Sequence, residues 1–161
     1  MQPKFSEPHT ELGRIALLRR DVEKARAELE LAVRLSPESF QANEQQALPS
    51  PWPAHNLGYL LLRTGETAKA EEALRESLKY DGHLTQTHYY YLGRTLEKEE
   101  RSAEAIEEYQ LAVVGDPTSA DACYSLAMLY RKLKREDEAK AMFEEFRKRK
   151  GMGSARASEP R

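Results

Sequence analysis

Apolar residues recur at three- and four-residue steps along most of the chain, the spacing of one buried helical face. Leu12, Ile15, Ala16 and Leu18 form the first such set. It predicts a helix starting near Pro8 with Ser6 as its cap, since proline is tolerated in a first turn. Arg19-Arg20-Asp21 then turns the chain, with Asp21 as N-cap of a second helix. That helix is expected to run to about Leu35 and to stop at Ser36-Pro37. A short helix over 38–47 and a proline-rich loop over 48–52 are expected next, because Pro49, Pro51 and Pro53 break the pattern. The following helix begins near Pro53 and ends at Arg63-Thr64-Gly65, where Gly65 suits a left-handed turn. Further helices are predicted over about 67–80, 86–98, 102–114, 119–132 and 136–149. The Lys150-Gly151 boundary is read as the end of the last one.

A second, longer period overlies the helical one. Leu12-Gly13, Leu57-Gly58, Leu92-Gly93 and Leu126-Ala127 each place a small residue in the first helix of a pair. Ala25, Ala70, Ala105 and Ala139 each place one in the second. Gly93 to Ala127 and Ala105 to Ala139 are both steps of 34 residues, and Gly58 to Gly93 is 35. Gly13 to Gly58 is 45, one repeat plus an insertion of about 11 residues. Two antiparallel helices approach closely only where small residues lie at their crossing, while larger apolar residues fill the space to the next pair. The pattern therefore predicts stacked helical hairpins.

Leu-Gly in the first helix, alanine and an aromatic in the second, and a closing Asp116-Pro117 resemble the tetratricopeptide repeat (TPR) over roughly residues 6–153. The resemblance implies an all-α, right-handed α-solenoid of about four helix-turn-helix repeats. The expected division is a mobile arm over 1–5, repeats over 6–39, 51–84, 86–119 and 120–150, a proline-rich insertion over 40–50, and a disordered tail over 151–161. It also implies that the first helices line a concave groove for a protein or peptide partner. By the family's register the groove holds Thr10, Arg14 and Leu17, then His55, Asn56, Tyr59 and Leu62. Tyr90, Tyr91, Arg94 and Glu97 follow, then Tyr124, Ser125, Met128 and Arg131. Tyr59, Tyr90 and Tyr124 are expected at equivalent places, as a ladder. Tyrosine and arginine are enriched at binding hot spots, and Arg14, Arg94 and Arg131 favour an acidic or C-terminal segment. Trp52, the only tryptophan, is a further contact candidate in the insertion. One subclass of the family clamps acidic chaperone tails with Lys, Asn and Arg. Here Thr10, Arg14, Thr87 and Tyr91 stand in place of those residues and only Asn56 matches, so that role is disfavoured. Bare ends of a repeat array need capping. Met142, Phe143 and Phe146 are expected to be partly exposed, through a longer array, self-association or a self-capping last helix.

Charge narrows the partners. The net charge of −2 leaves no basic footprint, which argues against nucleic acid. No stretch approaches the length of a membrane span, and MQPKFSEPHTELG is no secretory signal; a cytoplasmic location is favoured if the chain is full length. The single cysteine, Cys123, excludes an internal disulfide framework and reads as a small core residue. His9, His55, His83 and His88 form no metal-ligand spacing, and phosphate-binding, dinucleotide and nucleophile-elbow motifs are missing. Glu71-Glu72 and Glu97-Lys98-Glu99-Glu100 read as solvated surface. The expectation is a non-catalytic scaffold or adaptor without a cofactor. The alternative is an assembly element that associates through its repeat ends.

Overall fold

The computed structural model describes residues 6–42, 50–79, 85–116 and 119–157. The expected arm over 1–5, most of the insertion, His83 and the last four residues lie outside them. Eight helices run through the described residues: α1 (Ser6–Leu18), α2 (Val22–Ala42), α3 (Trp52–Thr64), α4 (Thr67–Leu78), α5 (Thr85–Lys98), α6 (Ser102–Gly115), α7 (Asp121–Lys132) and α8 (Glu136–Ala157). They fall into two units, Met1–Leu84 and Thr85–Arg161. In the first, α1 packs on α2 and α3 on α4, while α3 also meets α1 and α2. In the second, α5 packs on α6 and α7 on α8, while α7 also meets α5 and α6.

All four hairpin turns are built alike. Seven residues after the small residue of the first helix, the backbone turns left-handed, at Arg20 (φ 61°), Gly65 (φ 89°), Glu100 (φ 61°) and Lys134 (φ 60°). The next N–H then reaches back to the helix. Asp21 donates to the Ala16 carbonyl at 3.0 Å, Glu66 to Leu61 at 2.9 Å, Arg101 to Leu96 at 3.0 Å and Arg135 to Tyr130 at 2.9 Å. These bonds satisfy carbonyls that the helix end leaves open. Asp21 caps α2 as expected, its Oδ1 accepting from the Lys24 N–H at 3.2 Å.

The glycines of the first helices lie against large side chains of the second. A Cβ on Gly13 would lie 2.6 Å from Cγ of Leu29, and one on Gly58 would lie 2.6 Å from Cγ of Leu74. On Gly93 it would lie 2.7 Å from Cδ1 of Tyr109. Leu29, Leu74 and Tyr109 follow Ala25, Ala70 and Ala105 by one helical turn, and all six are fully buried. The glycine is thus the floor on which the next turn's large side chain rests.

Two expected boundaries shift. α2 continues through Pro37 to Ala42 instead of ending at Pro37, because the bias against helix before proline is a preference and not a block. α8 runs through Gly151 to Ala157, where a disordered tail was expected from 151. Gly151 is exposed with open space around it. An exposed glycine costs about 1 kcal/mol relative to alanine, too little to halt a helix already propagating.

Ionic pins brace each unit. Arg26 on α2 donates to both carboxylate oxygens of Glu66, which also accepts from Lys69 at 3.0 Å and Thr64 at 3.2 Å. The Arg26 hydrogen bond, followed by that of Lys69, holds the Glu66 carboxyl down at about 2. In the second unit Arg149 of α8 is 9% exposed, and its guanidinium donates to the carbonyls of Val113 at 3.0 Å, Asp116 at 2.8 Å and Ser119 at 3.3 Å. A cation is favourable at the carbonyl end of α6, and Glu145 holds this one in place at 2.7 Å.

Candidate functional site

The residues expected in the groove sit on the first helix of each hairpin, at fixed distances from its small residue. Three positions before that residue the four hairpins carry Thr10, His55, Tyr90 and Tyr124. Thr10 and His55 are each 5% exposed, Tyr90 is half-buried, and Tyr124 is 46% exposed. Tyr59 therefore does not share the place of Tyr90 and Tyr124. It follows Gly58 directly, and its counterparts are Arg14, Arg94 and Met128. The expected three-tyrosine equivalence is corrected to this register, which puts buried His55 where the third ring was read.

In the first unit, Glu7, Pro8, Thr10, Glu11 and Arg14 of α1 face Ser50, Trp52 and Asn56 across a cleft of about 640 Å³. Arg14 is exposed and paired with Glu11 at 3.1 Å. Trp52 is 38% exposed and stands at 90° to the buried ring of His55. The Thr10 hydroxyl donates to the Ser6 carbonyl at 2.9 Å, within its own helix. Asn56 is 9% exposed, with its polar side chain lining the cleft. Tyr59 is half-buried under the Arg63 guanidinium, 5.6 Å from the ring centre.

In the second unit, aromatic rings carry cations. Arg94 lies 5.8 Å from the Tyr90 ring centre, and Tyr90 packs against Tyr91 at 5.2 Å and Tyr109 at 6.1 Å. Tyr109 donates to Glu97 at 2.9 Å, which occupies this expected groove carboxylate. Burial, then the Glu97 charge, pushes the Tyr109 phenol far above its ordinary range, so it stays a donor. Tyr124 packs on Phe146 at 5.3 Å and Phe143 at 6.1 Å. Arg131 lies 5.8 Å from the Phe143 ring centre and donates to the Met128 sulfur at 3.1 Å. Met142, Phe143 and Phe146 are each half-buried, and Lys150 lies 5.6 Å from the Phe146 ring centre. Arg94 and Arg131 are exposed and form no ion pair among the described residues. By contrast, Arg14, Arg26, Arg75, Arg101, Arg135 and Arg149 each meet a carboxylate.

Cys123 is fully buried, and burial raises its thiol pKa, which leaves it unreactive. Among the described residues no His, Cys, Asp and Glu cluster is arranged to hold a metal ion. None of the described helices is long and apolar enough to cross a membrane.

Comparison with known proteins returns the fold. No curated protein matches the sequence. The crystal structure of MamA superposes with a TM-score of 0.79 at 20% identity, over 96% of this chain and 83% of that one. MamA from Desulfovibrio magneticus RS-1 gives 0.68 at 22% identity, over 96% and 78%. YrrB, a TPR protein with an unusual peptide-binding site, gives 0.70 at 17% identity, over 89% and 68%. Two family models described as tetratricopeptide repeat match residues 55–122 and 120–146, together more than half of the sequence. With the recurring hairpins and their shared turn, these matches establish that the chain belongs to the tetratricopeptide repeat family.

Proposed function

We propose that the chain is a non-catalytic interaction module that holds an acidic or C-terminal segment of a partner protein on its first-helix faces. The observation that carries this reading is the pair Arg94 and Arg131. Each is exposed, steered by an aromatic ring, and without an ion pair among the described residues. A guanidinium held over a ring keeps its donor edge outward, where a partner carboxylate can take two hydrogen bonds. Tyr90, Tyr91, Tyr124 and Met128 supply rigid or adaptable apolar contact beside them. In the first unit, Arg14, Asn56, Tyr59 and Trp52 are the corresponding contacts; His55 is left out because its ring is buried. The peptide-binding site of YrrB shows that another protein of this fold type takes peptides.

The test is a titration of an acidic peptide with a free C-terminus into the unsubstituted protein and Arg94→Ala, at two salt concentrations. The reading predicts binding that weakens with salt and falls about tenfold on substitution, the size of one lost charge-assisted contact. Equal binding by both proteins would refute it.

A second reading, assembly through an end of the array, is favoured by an exposed apolar set in the first unit. Leu12 is 40% exposed, Ile15 43%, Leu18 81% and Val22 40%. On this reading Leu18→Glu shifts the sedimentation of the protein to a smaller species, whereas Arg94→Ala leaves it unchanged.

A further inference from the structure

A second groove lies on the opposite helices of the first unit. Its volume is about 360 Å³. One bank is Arg26, Glu30 and Val33 of α2, and the other is Lys69, Glu72, Ala73 and Glu76 of α4. The floor is Ala54, Leu57 and Leu61 of α3. The second unit has the same helices in the same order, so it shows whether such a groove is a general feature of the repeat. Counted from the small residues, Arg26 corresponds to Ile106, Ala54 to Cys123, Leu61 to Tyr130 and Ala73 to Met142. Every one of these replacements is larger or more apolar. Tyr130 also accepts a hydrogen bond from Gln110, the counterpart of Glu30, at 3.1 Å, which ties bank to floor. Arg149 then joins α8 to the end of α6. At these positions the second unit carries bulkier or more apolar side chains and adds two bridging contacts, whereas the first carries Ala54, Leu61 and Ala73.

The charges on the banks select the occupant. Arg26 and Lys69 are both held by Glu66, and Glu76 is shared with Lys79. Glu30 is 3.9 Å from Arg26, at the limit of an ion pair, and half exposed. Glu72 is exposed and forms no ion pair among the described residues. Each bank thus presents an exposed carboxylate, Glu30 at the limit of reach of Arg26 and Glu72 with no ion pair among the described residues, above a floor of alanine and leucine. We propose that the groove between α2 and α4 docks a basic amphipathic helix of a partner protein. An apolar stripe at i, i+3 or i+4, and i+7 would meet the floor, and Lys or Arg on both flanks would meet Glu30 and Glu72. This surface is separate from the first-helix faces and stands or falls independently of them.

The probe is a labelled synthetic helix with a leucine stripe flanked by lysine on both sides, compared with the same stripe flanked by glutamate. Binding is read by fluorescence anisotropy against the full chain. Two variants are compared. Ala73→Met fills the groove with the residue the second unit carries there, and the exposed pair Glu30→Lys/Glu72→Lys reverses the banks without touching the core. The expected result is binding of the lysine-flanked helix only, weakened at least about tenfold by either variant. Helical content checked by circular dichroism should be unchanged in the charge-reversed protein. Absence of binding by the unsubstituted protein, equal binding of both helices, or full binding by folded Ala73→Met would overturn the proposal. So would a protein that self-associates and becomes monomeric on Ala73→Met, since the occupant would then be a second copy.

Discussion

Gly93→Ala adds one methyl group where the structure leaves no room for it. The new Cβ would lie 2.7 Å from Cδ1, 2.9 Å from Cε1 and 3.1 Å from Cγ of Tyr109. Carbon atoms rest at about 3.5–4.0 Å, so the ring or the helix must move by roughly 1 Å. The ring has little freedom to do so, because it is fully buried and its hydroxyl is tied to Glu97 at 2.9 Å. Overpacking of this kind costs about 1–3 kcal/mol. Alanine in place of glycine in a helix returns about 1 kcal/mol. The expected net loss is therefore about 0–2 kcal/mol, a fall in melting temperature of about 2–4 °C per kcal/mol for a chain of this size. Removing the ring isolates the clash: in a Tyr109→Ala background the same Gly93→Ala change should be neutral or stabilising by up to about 1 kcal/mol. Urea denaturation of the four proteins of this cycle gives the coupling. A Gly93→Ala protein more stable than the unsubstituted one, or the same effect in both backgrounds, would refute the packing argument.

Other expectations follow from single features of the structure. Lys134 holds a left-handed conformation at φ 60°, so Lys134→Gly should raise stability by about 0.5–1 kcal/mol in thermal melts, whereas Gly65→Ala, at φ 89°, should lower it by about 1 kcal/mol. Arg149→Met leaves the carbonyls of Val113, Asp116 and Ser119 without their cation; a loss of about 2–3 kcal/mol is expected, with hydrogen exchange quickening first at the end of α6. Glu66 is held down at about 2 in the folded chain against an ordinary 4.5. Its contribution is therefore present above pH 4.5 and lost as pH falls from there towards 2. Glu66→Gln should flatten the acid limb of the stability profile in that window and leave its slope above pH 5 unchanged.

Most of the repeat architecture is legible in the sequence because close helix crossings need glycine or alanine at a fixed step. Gly13, Gly58, Gly93 and Ala127, with their alanine partners, mark all four hairpins without reference to coordinates. What rests on backbone conformation alone is less visible. Gly65 announces its left-handed turn, but Arg20, Glu100 and Lys134 adopt the same turn with ordinary side chains. A strict count from the glycines would have aligned His55, not Tyr59, with Tyr90 and Tyr124. Pro37 and Gly151 look like stops, yet each is only a local penalty that the rest of its helix outweighs. Arg149 was hidden for another reason. Its partners are backbone carbonyls 30–36 residues away in sequence, and carbonyls carry no sequence signal. The outer groove was equally hidden, since Ala54 and Ala73 read as ordinary helix formers until their neighbours are in place.

The most direct test of the central claim is affinity capture from the native host, read by mass spectrometry, with the unsubstituted chain beside Tyr90→Ala/Arg94→Ala. Arg94 is exposed and Tyr90 half-buried; because Tyr90 packs against Tyr109, circular dichroism checks that the double variant is folded. The account predicts a partner held by the unsubstituted chain and lost with the double variant. Identical capture by both baits would contradict it.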